Sequence, residues 1–547
     1  MGNTTTQTPQ LTTQPQGDLV FFRLLLPVFL GVRLIYAGKL LLVPDESFYW
    51  VLSHHLAAGY LDHPPMIAFV IWLGTHLLGS IELGVRFVGV LMSVAALAII
   101  VALAGKVLHD RRAMVWVAVI WLTSPLLAAW GTIITPDTPV MFFSLCALAF
   151  VALIADRDDR ATAAHTRAPA NPALWLLFGL FSGLAMVSKY TGMLLPSAIA
   201  LAMLFSPQGR RHYRRPWIYL SGILAALIFS PVIWWNATHE WASFLFQLHH
   251  GTAAHFKPDF ISKRAALLRP LKDAAEYVAG QLVVWTPVLF VIALIVLTRY
   301  WLRFLVPVFN AGLWPQSLRV RRFIEHLKAR PGLTLVDQIM LWSATLPLML
   351  FGFAAIRSHH TEANWPGFAY FPASLLTARW LSENWSGVRV KWAHLGVRVA
   401  LVGLVAMHIV LYPAVTRRIV QLPFHVPHAL QDFNGWRQFG AWLGNEPAST
   451  GAPIFTNRHQ DAGEASFYMP GQPEVWCISI GTRPSAFDYF DEQPDFAKIR
   501  QLVWVGGNYD LFEKAYGYTE LAQFSATIVP GHNERAYKAF LLIRTPR

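Results

Sequence analysis

Charge is scarce in this chain of 547 residues: Asp, Glu, Lys and Arg make up 14% of it, against about a quarter in an ordinary soluble domain. Cysteine is scarcer, with Cys146 and Cys477 alone, which excludes a disulfide scaffold and any zinc-type Cys spacing. Internal repeats and collagen-like periods are also lacking. What fills the space is apolar surface: 55% of residues are hydrophobic, 14% aromatic, and the mean hydropathy is +0.41. The apolar residues come in blocks of about 18–25, the helix length needed to cross a hydrocarbon core of about 30 Å. Continuous blocks exclude a membrane β-barrel, whose strands alternate. The sequence therefore predicts an all-α polytopic membrane domain.

Candidate spans run over roughly 19–42, 82–105, 113–131, 138–155, 173–188, 191–206, 217–235, 279–298, 337–356, 366–382 and 393–414, about eleven helices in all. The net charge of +13 then reads as topology and not as a nucleic-acid footprint. Lys106, Arg111 and Arg112 fall in one set of connecting segments, with Arg157, Arg160 and Arg167, then Arg210, Arg211, Arg214 and Arg215, then the Arg319–Arg330 run, then Arg389 and Lys391. The alternate set is poor in Lys and Arg, and residues 43–80 contain none. The positive-inside rule makes the first set cytoplasmic and places everything after residue 415 outside. The segment 236–278 runs against this pattern with five Lys and Arg residues, from Lys257 to Lys272, but long loops obey the rule poorly. The expected organisation is a disordered tail at 1–17, a membrane domain at 18–415 and an outer soluble α/β domain at 416–547. In that last part Pro453–Thr456, Val475–Ile480, Leu502–Val505 and Ala539–Ile543 read as strands, and 434–444 and 510–523 as helices.

The few acidic groups gather on the expected outer side. Asp45 and Glu46 follow the first span, and a carboxylate at a membrane helix end must face water or a site. Adjacent residues point about 100° apart on a helix, so at most one of the two easily faces a given cavity. A simpler role is open too, with Asp45 capping the next helix and Glu46 in its first turn. The same segment adds His54, His55, Asp62 and His63 before Pro64-Pro65. Later outer turns bring Thr135-Pro136-Asp137, then Ser188-Lys189-Tyr190. The run from Trp235-Asn236 through His239 to Gln247 comes next, followed by Arg357 to Asn364-Trp365-Pro366 with His359 and His360. Asp137 reads equally well as a helix cap, Lys189 as a snorkelling lysine, and Trp234, Trp235 and Trp241 as an interfacial aromatic belt.

Taken in order, these elements resemble the bacterial branch of the protein O-mannosyltransferase superfamily. That branch includes lipid A aminoarabinose transferases and lipopolysaccharide galacturonosyltransferases, enzymes of the GT-C type. The segment Glu464–Gly471 is similar to a family segment in the outer domain. The resemblance implies a GT-C membrane domain in the cytoplasmic (inner) membrane, to which the C-terminal soluble α/β domain is attached, and the positive-inside rule puts its amino terminus inside. It also implies inverting transfer of a sugar from a polyprenyl-phosphate carrier to an envelope glycolipid or polysaccharide. On this reading Asp45 is the base, Glu46 a less favoured one, and Asp137 orients the acceptor or a metal. Lys189 and Arg357 face the phosphate, and His63, Tyr190, Asn236, His239, Gln247, His359 and Asn364 complete the substrate site. His63 stands where the aminoarabinose branch carries a Lys. Asp45, Asp62, His63 and His360 offer ligands suited to a divalent ion, Mg, Mn or Zn. Three rivals remain open: a protein acceptor, a lipid-linked sugar flippase, and a membrane-anchored binding module whose outer domain does the work. A flippase predicts charged or broken spans near the midplane.

Overall fold

The computed structural model describes residues 17–252, 263–305, 332–358, 362–384, 398, 402, 435–446, 451–507, 509–528 and 535–544. The tail before residue 17, the basic run 319–330 and nearly all of the expected span at 393–414 lie outside them.

The apolar blocks form helices. Five described helices are long and apolar enough to cross a membrane: Glu82–Val107, Asp137–Ala163, Pro216–Thr238, Pro287–Leu305 and Leu335–Arg357. Leu26–Lys39 and Pro44–His54 add a sixth if they count as one span bent by 87°. The other expected blocks among the described residues are shorter or broken. The block at 279–298 is divided at Thr286, whose φ of 65° ends the Lys263–Trp285 helix before Pro287 opens the next. A further apolar helix, Met66–Leu78, was not expected as a span. Its 13 residues reach only about 20 Å, and Phe69, Trp72, Leu73 and Leu77 lie exposed on one side.

Two buried arginines tie these helices together. Arg86, in the Glu82–Val107 helix, is fully buried and donates to the carbonyls of Ala37, Leu40 and Leu41 at the end of the Gly17–Lys39 helix. Arg33 donates to Thr132 Oγ1 at 2.6 Å and to the Leu127 carbonyl. At the opposite end of the bundle, Asp159 accepts from the amides of Leu335 and Val336, satisfying orphan donors where the Leu335–Ser358 helix starts.

The C-terminal part carries a five-stranded sheet in the order β2-β1-β3-β5-β4. The strands are β1 Ile454–Thr456, β2 Val475–Cys477, β3 Gln501–Val505, β4 Tyr518–Ile528 and β5 Arg535–Arg544. β1 runs parallel to β2 and β3, while β5 is antiparallel to β3 and β4. The expected helix over 510–523 is half correct. A helix over Tyr509–Tyr516 stops at Gly517, whose φ of 71° ends it, and the rest is β4. One face of the sheet shares a core with the helical part, in which Phe48, Trp50 and Ile67 pack with Phe439, Phe467 and Phe487.

At one contact between the two parts the backbones approach closely. A Cβ on Gly463, in the His459–Tyr468 helix, would lie 2.6 Å from the Phe48 nitrogen and 2.7 Å from the Ser47 carbonyl carbon. Around this contact Leu42 N donates to Tyr468 Oη at 2.7 Å, Arg437 pairs with Glu82 at 2.5 Å, and Gln472 donates to the Ser80 carbonyl.

Candidate active site

The helix ends that carry Asp45 surround a cavity of about 630 Å³, within the usual range for small-molecule sites. Asp45, Tyr49, Asp62 and His63 line it from the first connecting segment, Thr135 to Asp137 from the next, and Lys189 to Thr191 from the hairpin after Ser188. Gln247, Asn364 and Trp365 add further wall, and His459 and Arg483 close it from the C-terminal domain.

The adjacent carboxylates part company here. Pro44 opens a helix, and Glu46, at its third position, accepts from the Val43 amide at 3.0 Å. The capping role thus falls to Glu46 and not to Asp45. Glu46 also accepts from Arg86 through Nε at 2.8 Å and Nη2 at 2.5 Å, and from the Ile134 amide at 2.8 Å. Both oxygens are occupied inside a fully buried ion pair, so Glu46 is no candidate base. Asp45, one residue earlier on the helix, is exposed and lines the cavity.

Asp137, Lys189 and Asn364 converge from three separate segments. Lys189 Nζ lies 2.7 Å from Asp137 Oδ1, and Asn364 Nδ2 donates to Asp137 Oδ2 at 2.7 Å. Asp137 is therefore neither a helix cap nor an open base, and it holds a cation and an amide at the cavity wall. Lys189 is mostly buried beside the Trp365 ring and does not snorkel. Tyr190 also lines the cavity, and its hydroxyl sits 2.7 Å from Ser243 Oγ.

Several expected site residues stand behind the wall. Asn236 donates to Tyr190 Oη at 3.3 Å and to the Val232 carbonyl, and it accepts from the Phe244 amide at 3.0 Å, which braces the turn at Glu240 and Trp241. His239 stacks on Trp235 at 4.1 Å and does not reach the cavity. Arg357 is exposed one turn beyond the lining residue Ala354. His359 and His360 lie outside the described residues. Gln247 does reach the cavity and donates to the Asp62 carbonyl at 2.5 Å.

Burial pushes the Asp62 carboxyl up to about 6; the nearby Arg483 guanidinium opposes the shift and Asp45 adds to it. The same desolvation, with the charges of Arg483 and Arg458, drives His459 down to about 3, so its ring is neutral at physiological pH. It packs on Phe48 at 4.6 Å. His459 and Arg483 were missed from sequence because no motif marks them and they lie some 400 positions from Asp45. Among the described residues no three His, Cys, Asp or Glu side chains form a set that could hold an ion, and His360, one of the four expected ligands, lies outside them.

Comparisons with known proteins bear on the family and the fold. A family model described as dolichyl-phosphate-mannose-protein mannosyltransferase matches residues 62–235. The lipid A galacturonosyltransferase RgtD of Rhizobium johnstonii is 25% identical over 349 residues, 63% of this chain and 62% of that protein. An undecaprenyl phosphate-alpha-4-amino-4-deoxy-L-arabinose arabinosyl transferase of Edwardsiella ictaluri is 27% identical over 39% of this chain and 40% of its own length. The matched segments thus span less than two thirds of either relative. The crystal structure of ArnT from Cupriavidus metallidurans bound to undecaprenyl phosphate superposes with a TM-score of 0.59 at 13% identity, covering 96% of this chain and 98% of that one. The fold is shared along nearly the whole length, and the resemblance read from the sequence holds.

Proposed function

We propose that this chain, a protein of the GT-C glycosyltransferase superfamily, moves a sugar from a polyprenyl-phosphate carrier to a lipid A-like envelope glycolipid at the outer face of the inner membrane. The observation that carries this is the cavity itself, lined by an exposed carboxylate, Asp45, and by a lysine, Lys189, braced by Asp137, at the bundle end where the C-terminal domain docks. The names of the two transferase relatives, and the undecaprenyl phosphate bound in the ArnT structure, support this choice of donor and acceptor classes. Asp45 takes the proton of the acceptor hydroxyl as that oxygen attacks the anomeric carbon. The bond from that carbon to the phosphate oxygen breaks, and polyprenyl phosphate leaves with the electron pair and the configuration inverted. Lys189, held by Asp137, stabilises the departing anion.

The test is transfer from undecaprenyl-phosphate sugars to lipid A by purified protein in detergent. Asp45→Asn is expected to lower the rate by about 10²–10⁴-fold with undecaprenyl phosphate binding retained. A variant that transfers at the wild-type rate removes Asp45 from the chemistry. A protein acceptor is the second reading, carried by the description of the matched family model. Peptide acceptors run in parallel with lipid A decide between the two.

A further inference from the structure

The charges around the cavity do not balance in favour of an anionic substrate. Asp45, Asp62, Asp137 and Glu362 line it, against two basic side chains, Lys189 and Arg483. Asp137 already engages Lys189 at 2.7 Å. Arg483 is placed differently. Its nearest carboxylate oxygen, Asp62 Oδ1, is 3.9 Å from Nη2, beyond hydrogen-bond length. Its guanidinium carbon lies 5.4 Å from the Phe246 ring centroid, and half of the side chain is exposed. The aromatic face and the distant carboxylate orient the fork without filling its donors. An ion pair at that separation and exposure contributes little.

The surroundings of Arg483 are firm. The capping box at Ser485, with Asp488 accepting from the Ser485 amide at 2.7 Å, fixes the turn just after it. Gln247 holds the Asp62 backbone from the other side. The close packing at Gly463 fixes the C-terminal domain to the Pro44–His54 helix, which carries Asp45. A guanidinium presented in this way, with donors open toward a cavity, matches the geometry of a carboxylate or phosphate.

We infer that Arg483, contributed by the C-terminal domain, is a specificity residue that binds an oxyanion of the sugar donor in this cavity. The inference rests on the proposed function for the existence of that donor. Two sources share the chemistry, the carrier phosphate and the carboxylate of a uronic acid sugar. In either case the C-terminal domain completes the donor site and is more than a cover over it.

The test measures binding to the full-length protein in detergent, for wild type, Arg483→Gln and Arg483→Lys. The probes are undecaprenyl phosphate, undecaprenol, and free galacturonate and galactose. If the oxyanion is the carrier phosphate, Arg483→Gln weakens undecaprenyl phosphate at least tenfold and leaves undecaprenol unchanged. If it is a sugar carboxylate, the same variant weakens galacturonate at least tenfold and leaves galactose unchanged. In each case Arg483→Lys falls between wild type and Arg483→Gln. Equal loss for charged and neutral partners marks a packing role and overturns the inference, as does unchanged binding of both anions. A wild-type protein that binds neither anion removes the proposed function as well, whereas wild-type binding that survives Arg483→Gln removes this inference alone.

Discussion

Asp45 and Glu46 show what a residue string reveals and what it leaves open. That an acidic pair after the first span faces a site or water is legible, because lipid does not tolerate it. Which of the two is available for chemistry depends on Arg86, 40 positions later and buried in a helix whose hydropathy conceals it. The structure also places Asp137, Lys189 and Asn364 in one hydrogen-bonded group, although each has a plausible local role when read alone. The difference between the two carboxylates is measurable. Glu46→Gln leaves the buried Arg86 charge uncompensated and is expected to destabilise the protein by about 3–5 kcal/mol. Asp45→Asn, on an exposed side chain, is expected to change stability by no more than about 0.5 kcal/mol. Thermal unfolding in detergent compares the two directly, and a Glu46→Gln protein as stable as wild type contradicts the role given to the pair.

Elements were legible where they matched a single period and hidden where they did not. The long apolar helices and four of the five strands follow from hydropathy and β-branched runs. The Met66–Leu78 helix is too short for a span template and falls outside the expected spans, while β4 follows directly on a helix and is misread from sequence as its continuation. The His459–Tyr468 helix has neither a strong apolar period nor a side-chain cap, yet it carries the contact that docks the C-terminal domain. Replacing Gly463 by Ala adds about 1 kcal/mol of helix propensity. It also places a methyl against the Ser47 and Phe48 backbone, which cannot move aside as a side-chain tip would. Gly463→Ala is therefore expected to cost about 1–3 kcal/mol in overpacking, only partly offset by that gain, and to speed proteolytic release of the C-terminal domain. A variant that resists protease as well as wild type shows that the two parts are not held at this contact.

At the scale of the molecule, the scarce charges sort by position along the helices. Glu82–Val107 has 26 residues and so spans about 39 Å. Glu82, at one end, pairs with Arg437 of the C-terminal domain, and the Arg111–Arg112 pair follows the other. If the basic end is cytoplasmic, the cavity and the sheet domain face outward, where a lipid-carried sugar is presented. Both native cysteines are buried, so a membrane-impermeant maleimide has little background to label. Arg111→Cys and Glu492→Cys each place a thiol at an exposed position, one at each end. In spheroplasts the Glu492→Cys protein is expected to label at once, and the Arg111→Cys protein only after lysis. The reverse pattern would put Asp45, Lys189 and Arg483 on the cytoplasmic side and remove the reason for a donor delivered at the outer face.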